Sequence, residues 1–341
     1  MSDAFRPEEF FPRDLFERIT DTRVTRPEVV VEEAKSRRRR PRLTRDGRLT
    51  ILAADHPARM VVGVGDDPVA MGSRWKLLAR ILRVITAEEF DGLMTTPDIL
   101  EELLIVNRLD KELGGPGFLD HKVLIGCMNR GGLAGAAFEM DDRMTAFTPE
   151  RIAALRLDGA KVMFRLEPRE PDSLEAMMYC VEAINACQAR GIPIFLEALM
   201  VERADGKYKT LKSVEALIKV VNVASGLGCA STLTWLKIPY CEGYERVAEA
   251  TTCPILMLGG ESRGDPTGIF QEFAAGMRAG STVRGALVGR NVTFPGKDDP
   301  LAVALAVDGI VHRGLTAEQA ATYLTDVRGR GMDRFTRLLA A

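Results

Sequence analysis

The chain has 341 residues, 46% hydrophobic and 28% charged, with a formal net charge of -2. That composition suits a globular protein with a large core, in one long domain or two short ones. No apolar run approaches the ~20 residues of a membrane span, and the near-neutral balance gives no general case for nucleic-acid or membrane binding.

The N-terminus is charged and lacks the apolar core of a signal peptide. Six cysteines (Cys127, Cys180, Cys187, Cys229, Cys241, Cys253) show no C-x-x-C pair, and several lie in apolar runs. Buried reduced thiols in a cytoplasmic protein are therefore expected, not disulfides. His56, His121 and His312 are the three histidines, and none pairs with another at ligand spacing. A histidine-built metal site is not expected, and no cofactor is implied.

Residues 1–48 read as an extension, with a helix over Pro27–Lys35 and the basic run Arg37-Arg-Arg-Arg-Pro-Arg42, followed by Arg45 and Arg48. Such a run can touch nucleic acid or an acidic partner. In a net-acidic chain it reads first as a solvated loop, or as arginines paired with acidic residues of the same or a neighbouring subunit.

From Leu49 to the end, strand and helix signals alternate. Strands are expected at Leu49–His56, Phe90–Thr96, Lys122–Met128, Gly159–Leu166, Pro193–Leu199, Leu233–Tyr240, Pro254–Gly260 and Val283–Gly289. Helical spacing covers Arg74–Ile85, and helix starts fall at Asp98-Ile-Leu-Glu101 with capping-box spacing, Thr148-Pro149, Asp172, Ser213, Asp265-Pro266 and Asp299-Pro300. A short helix is expected near Glu245–Glu249 and a C-terminal helix from about Thr316. Eight strands each followed by a helix predict parallel pairing and an α/β fold: a (β/α)8 TIM barrel over 49–341. A doubly wound open sheet is the runner-up, disfavoured because no G-x-G-x-x-G follows the first strand.

Working residues of such a barrel lie at the C-terminal ends of strands. Asp55 and His56 end the first strand, Lys161 and Arg165 share one face of the fourth, Glu197 is on the fifth and Lys237 on the sixth. A lysine inside a buried strand must find an anion, snorkel to solvent, or lose its proton and become a nucleophile able to form a Schiff base. Gly259-Gly260 and Gly289-Arg290 end the last two strands, where this fold often holds phosphate. Turn glycines and a surface arginine are the alternative.

Asp55-His56, Phe195-Leu-Glu-Ala198, Leu236-Lys-Ile-Pro-Tyr240, Leu258-Gly-Gly260 and Val288-Gly-Arg-Asn291 resemble the class I aldolases. These are the deoxyribose-phosphate, tagatose-bisphosphate and DhnA-type fructose-bisphosphate aldolases, all Schiff-base barrels. Gly159-Ala-Lys161 and Thr234-Trp-Leu-Lys237 are also similar to a subgroup that accompanies inositol catabolism. The seventh strand, Ile255-Leu-Met-Leu258, lacks the second lysine of a deoxyribose-phosphate aldolase, and Phe164-Arg165 stands where DhnA-type enzymes use a tyrosine. Lys161 and Glu197 approximately match the tagatose type.

The resemblance implies Lys237 as the Schiff-base lysine, Lys161 as a cation that lowers its pKa, and Glu197 or Asp55 as proton shuttle. His56 and Arg165 would contact substrate, while Gly259, Gly260, Gly289 and Arg290 would hold phosphate. The expected partner is a phosphorylated keto sugar or keto acid, bound by a homo-oligomer. A barrel isomerase or synthase using Lys237 as base or anion binder, and a non-catalytic sugar-phosphate sensor, would use most of the same residues. A nucleic-acid role would rest on Arg37–Arg42 alone.

Overall fold

Parallel pairing carries the backbone once around a closed ring. The computed structural model describes residues 5–204, 206–262 and 264–340. Its strands are β1 (Leu49–Ala53), β2 (Gly92–Thr95), β3 (Val123–Cys127), β4 (Gly159–Leu166), β5 (Ile194–Ala204), β6 (Lys207–Thr210), β7 (Thr234–Pro239), β8 (Ile255–Leu258) and β9 (Val283–Val288). All but β6 pair in parallel in the order β1 to β5, then β7, β8 and β9. The ring closes where β9 meets β1, from Leu49 opposite Gly285 to Leu52 opposite Val288. This is the expected (β/α)8 barrel.

Because each strand is covered on both faces, the strands read as near-continuous apolar runs. Alternate residues point inward, and Leu49, Ile51, Met94, Val123, Ile125, Phe195, Leu256 and Leu287 form a small plug inside the ring. The opposite faces pack on the helices in the main core. At Gly285, where φ is 138°, a Cβ would stand 1.9 Å from the Leu49 carbonyl oxygen, so only glycine lets the ring close there.

Three elements differ from the sequence expectation. The helix expected from Asp98 starts at Pro97, and the Thr96 hydroxyl bonds the Asp98 carboxylate instead of capping a backbone N–H, so no capping box forms there. β5 runs on past Leu199 and returns as β6, antiparallel from Val201 opposite Thr210 to Ala204 opposite Lys207. The C-terminal helix is two helices, Ala317–Val327 and Arg334–Ala340. Ala317–Val327 does open on a capping box, between Thr316 and Gln319.

The segment before β1 folds back onto the barrel. Beyond the expected helix, found at Val29–Ser36, it forms Pro7–Phe10 and Arg13–Thr25. Phe10 and Phe11 pack edge-on against Phe335, with ring centroids 5.3 and 5.8 Å apart, tying both ends of the described chain together.

The arginine run straps the N-terminal end of the barrel. Buried Arg37 pairs with Asp158 at 3.0 Å and donates to the carbonyls of Lys122 and Arg156. Arg38 pairs with Asp120, Arg39 with Asp158, and both Arg40 and Arg45 with buried Asp91. These are contacts within one subunit, formed with carboxylates just ahead of the strands. No described helix is long and apolar enough to cross a membrane.

Candidate functional site

Strand register brings the inward charges together. Glu197 and Lys237 are register partners on β5 and β7, both facing the ring interior. The Lys237 Nζ lies 2.8 Å from Glu197 Oε1. From β4, Lys161 places its Nζ 3.0 Å from Glu197 Oε2 and 3.1 Å from Asp55 Oδ2, just beyond β1. The result is a row of alternating sign, Asp55–Lys161–Glu197–Lys237, spanning the barrel.

Burial and charge oppose one another along this row. Burial alone would lower the Lys161 ammonium, but Asp55 and Glu197 outweigh it and raise the group above an ordinary lysine. Burial would raise Glu197, yet Lys237 and Lys161 hold its carboxyl at about 2. Asp55 is likewise pulled far below the usual range, chiefly by Lys161 against the cost of burial. His56 is pushed down to about 4 by burial despite Asp55, so it is neutral at pH 7. Cys127, whose Sγ lies 3.8 Å from Asp55 Oδ2, is a buried thiol raised well above its normal value.

Above the row is a cavity of about 460 Å³ at the C-terminal mouth of the barrel. Glu197 and Lys237 reach its surface, whereas Asp55 and Lys161 do not line it. Lys161 and Asp55 instead support its floor from beneath.

Arg165 does line the cavity, but its guanidinium is engaged. It pairs with Glu139 at 2.5 Å and donates to the carbonyls of Gly131 and Glu139, each at 2.6 Å. It therefore pins the loop after β3, and its charge is already compensated. Gly289 carries no side chain for a clear reason, since a Cβ there would lie 2.6 Å from His56 Cε1. Gly260 adopts a left-handed φ of 69°, and the Lys212 ammonium stands 3.8 Å from where its Cβ would be. Gly259 accepts a bond from the Asn291 side chain. Arg290 lines the same wall, and among the described residues it pairs, at 3.4 Å, with the highly exposed Glu261.

Sequence reasoning missed Arg59, Glu139, Tyr208 and Lys212, all of which line the cavity. Tyr208 sits on the unforeseen β6, and Asp-Gly at 205–206 was the available hairpin signal. Glu139 lies in a long loop with no periodic pattern to place it. Arg59, in the turn directly after Asp55-His56, could have been found from its position alone.

A model of the family described as Cgl0159-like matches residues 47–311. The crystal structure of Cgl0159 from Corynebacterium glutamicum is 37% identical, with a TM-score of 0.82 over 90% of this chain and 99% of that one. The 2-amino-3,7-dideoxy-D-threo-hept-6-ulosonate synthase 1 of Archaeoglobus fulgidus is 23% identical over 288 residues, 84% of this chain and 95% of that protein. A Schiff-base-forming fructose-1,6-bisphosphate aldolase shares the fold, with a TM-score of 0.54 and 19% identity over 83% of this chain and 100% of that one.

Proposed function

This chain belongs to the Cgl0159-like family, and from that premise we propose that it is a class I aldolase acting on a phosphorylated keto sugar or keto acid through Lys237. One observation carries the reading. An inward lysine stands at a cavity floor with its amine on a carboxylate that a second, permanently charged lysine also grips. Buried charges seldom improve stability over apolar residues, which favours a functional reason for the row. The Schiff-base aldolase with the same fold adds support.

In the cleavage direction the Lys237 amine adds to the substrate ketone, and loss of water from the carbinolamine leaves an iminium. A base takes the proton from the hydroxyl two carbons away. The electron pair of the intervening C–C bond flows into the iminium, releasing an aldehyde and leaving an enamine. Protonation of that enamine and addition of water then restore Lys237 and free the second product.

Glu197 is the carboxylate placed for these transfers, because Asp55 lies below the floor. Proton loss from Lys237 removes one of the two positive charges that hold Glu197 down, so its carboxyl rises as the amine becomes nucleophilic. Lys161, held between Asp55 and Glu197, stays charged throughout and orients the shuttle. Gly260, Lys212 and Arg290 form the wall for the substrate phosphate.

Borohydride reduction in the presence of dihydroxyacetone phosphate tests the reading. One equivalent of adduct on the Lys237 peptide, absent in Lys237→Met, is expected; an unlabelled parent protein sinks the aldolase assignment. The substrate to assay first is 5-dehydro-2-deoxygluconate 6-phosphate, with dihydroxyacetone phosphate and malonate semialdehyde as products. Failure to form either from it, with the adduct still observed, removes that substrate and leaves the reaction class.

A further inference from the structure

The cavity wall opposite the phosphate side carries a cation that the mechanism does not use. Arg59 leaves the turn after β1 and sets its Nη1 3.8 Å from the Met163 sulfur on β4. In the ring β4 and β9 are four strands apart, so the Arg59 side chain, although it starts beside β9, carries its guanidinium toward the strand opposite the one that ends at Arg290. The turn is fastened in place: the Arg59 carbonyl accepts from Ala134 at 2.9 Å. At Gly131, where φ is 82°, a Cβ would be 3.3 Å from Nη1, so the missing side chain leaves room for the guanidinium.

Arg59 forms no ion pair among the described residues, although the Asp55 and Asp142 carboxylates feel its charge from further off. Its Nε is shielded from solvent with no hydrogen-bond partner, and the sulfur of Met163 is a poor acceptor. Glu139 is taken by Arg165. Asp142 feels the field of Arg59 but accepts its hydrogen bonds from the Asn129 side chain, at 3.0 Å, and the Gly132 backbone. A part-buried guanidinium without an anion costs free energy, and its planar fork matches the two oxygens of a carboxylate.

Building on the aldolase reading, we infer that Arg59 receives a carboxylate at the end of the substrate remote from its phosphate. The aldehyde fragment released on cleavage is then acidic, and this enzyme separates keto-acid phosphates from neutral sugar phosphates at Arg59. On this side Arg165 is already taken by Glu139, which leaves one planar guanidinium fork, that of Arg59, and a single fork matches a carboxylate.

Calorimetric binding of three unreactive ligands tests this: 6-phosphogluconate, glucitol 6-phosphate and glucitol 1,6-bisphosphate. The parent protein is expected to bind 6-phosphogluconate at least tenfold more tightly than either of the others. Arg59→Met abolishes that preference while glucitol 6-phosphate affinity moves less than threefold, and Arg59→Lys, which keeps the charge without the fork, restores part of it. Equal affinities, no binding, tightest binding of the bisphosphate, or a preference that survives in Arg59→Met each overturn the inference. Because none of these ligands has a ketone, the result is independent of the Lys237 adduct. Absence of the preference in the parent protein with the adduct intact removes only the carboxylate site, and the preference without the adduct removes only the aldolase chemistry.

Discussion

Glu197 and Lys237 are neighbours twice over: their strands place them in the same register row, and their side chains meet at 2.8 Å inside the ring. The second Glu197 oxygen faces Lys161. Replacing the carboxylate by an amide keeps the shape and removes the base. Glu197→Gln is expected to lower kcat by about 10²–10⁴, read as the rate of triose phosphate release. A rate within threefold of the parent would take Glu197 out of proton transfer.

The two lysines should differ in what they contribute to stability. Lys161→Met strands Asp55 and Glu197 as buried anions without the ammonium between them, a loss of about 3–5 kcal/mol. Lys237→Met leaves Glu197 still paired with Lys161, and the position adjoins the open cavity, so about 1–3 kcal/mol is expected. Urea unfolding measures both. The reverse ranking would contradict the supporting role given to Lys161.

At the N-terminal end of the barrel, His312 donates toward Asp46 and Asp91, each at 2.9 Å, and these carboxylates raise it to about 9 although burial opposes them. A cation raised in the folded state stabilises fully below its unfolded value near 6.5, and that stability is lost as pH rises through 9. The contribution is about 3 kcal/mol. Asp308, raised to about 6 mainly by burial, loses its own contribution as pH rises from about 4 to 6, below this window. Lys122, lowered to about 7 by burial, adds stability as pH rises through the same window, so the readout is a difference: the stability advantage of the parent over His312→Gln should shrink between pH 6.5 and 9.5. Parallel curves would show that the histidine is not linked to folding.

Gly289→Ala tests the packing that holds His56. The new Cβ meets the imidazole at 2.6 Å and must displace it into the cavity. A KM raised about tenfold or more with an unchanged melting temperature is expected, since small misplacements in a site cost much in rate and binding. Unaltered kinetics would place His56 outside the substrate's reach.

Much of the fold was legible because its signals are local. The fourth strand, Gly159–Leu166, and the helix Asp172–Gln188 occur with the starts that apolar run and acidic first turn mark in the sequence. The capping box expected after the second strand failed because Pro97 lets the helix begin one residue earlier, and Thr96 turned to Asp98. The β5–β6 hairpin was missed because Val201-Glu-Arg203 and Lys207-Tyr-Lys209 are too polar to read as buried strand, being strand that overhangs the barrel. Lys237, Glu197 and Lys161 stood out as charges inside apolar runs, whereas Glu139 and Arg59 sit in loops where a charge is ordinary.

By itself the sequence determined the alternation of strands and helices, the ring they close, and which strands carry an inward charge. Those properties follow from period, punctuation and the cost of burying an ion, all of which act over a few residues. Tertiary structure alone decided which charge pairs with which: Arg165 goes to Glu139, Arg37 to Asp158 and Glu197 to two lysines at once, whereas Arg59 stands beside the Met163 sulfur. Ion pairing falls off over a few ångströms while its partners lie tens of residues apart in the chain, so only the folded register can assign them.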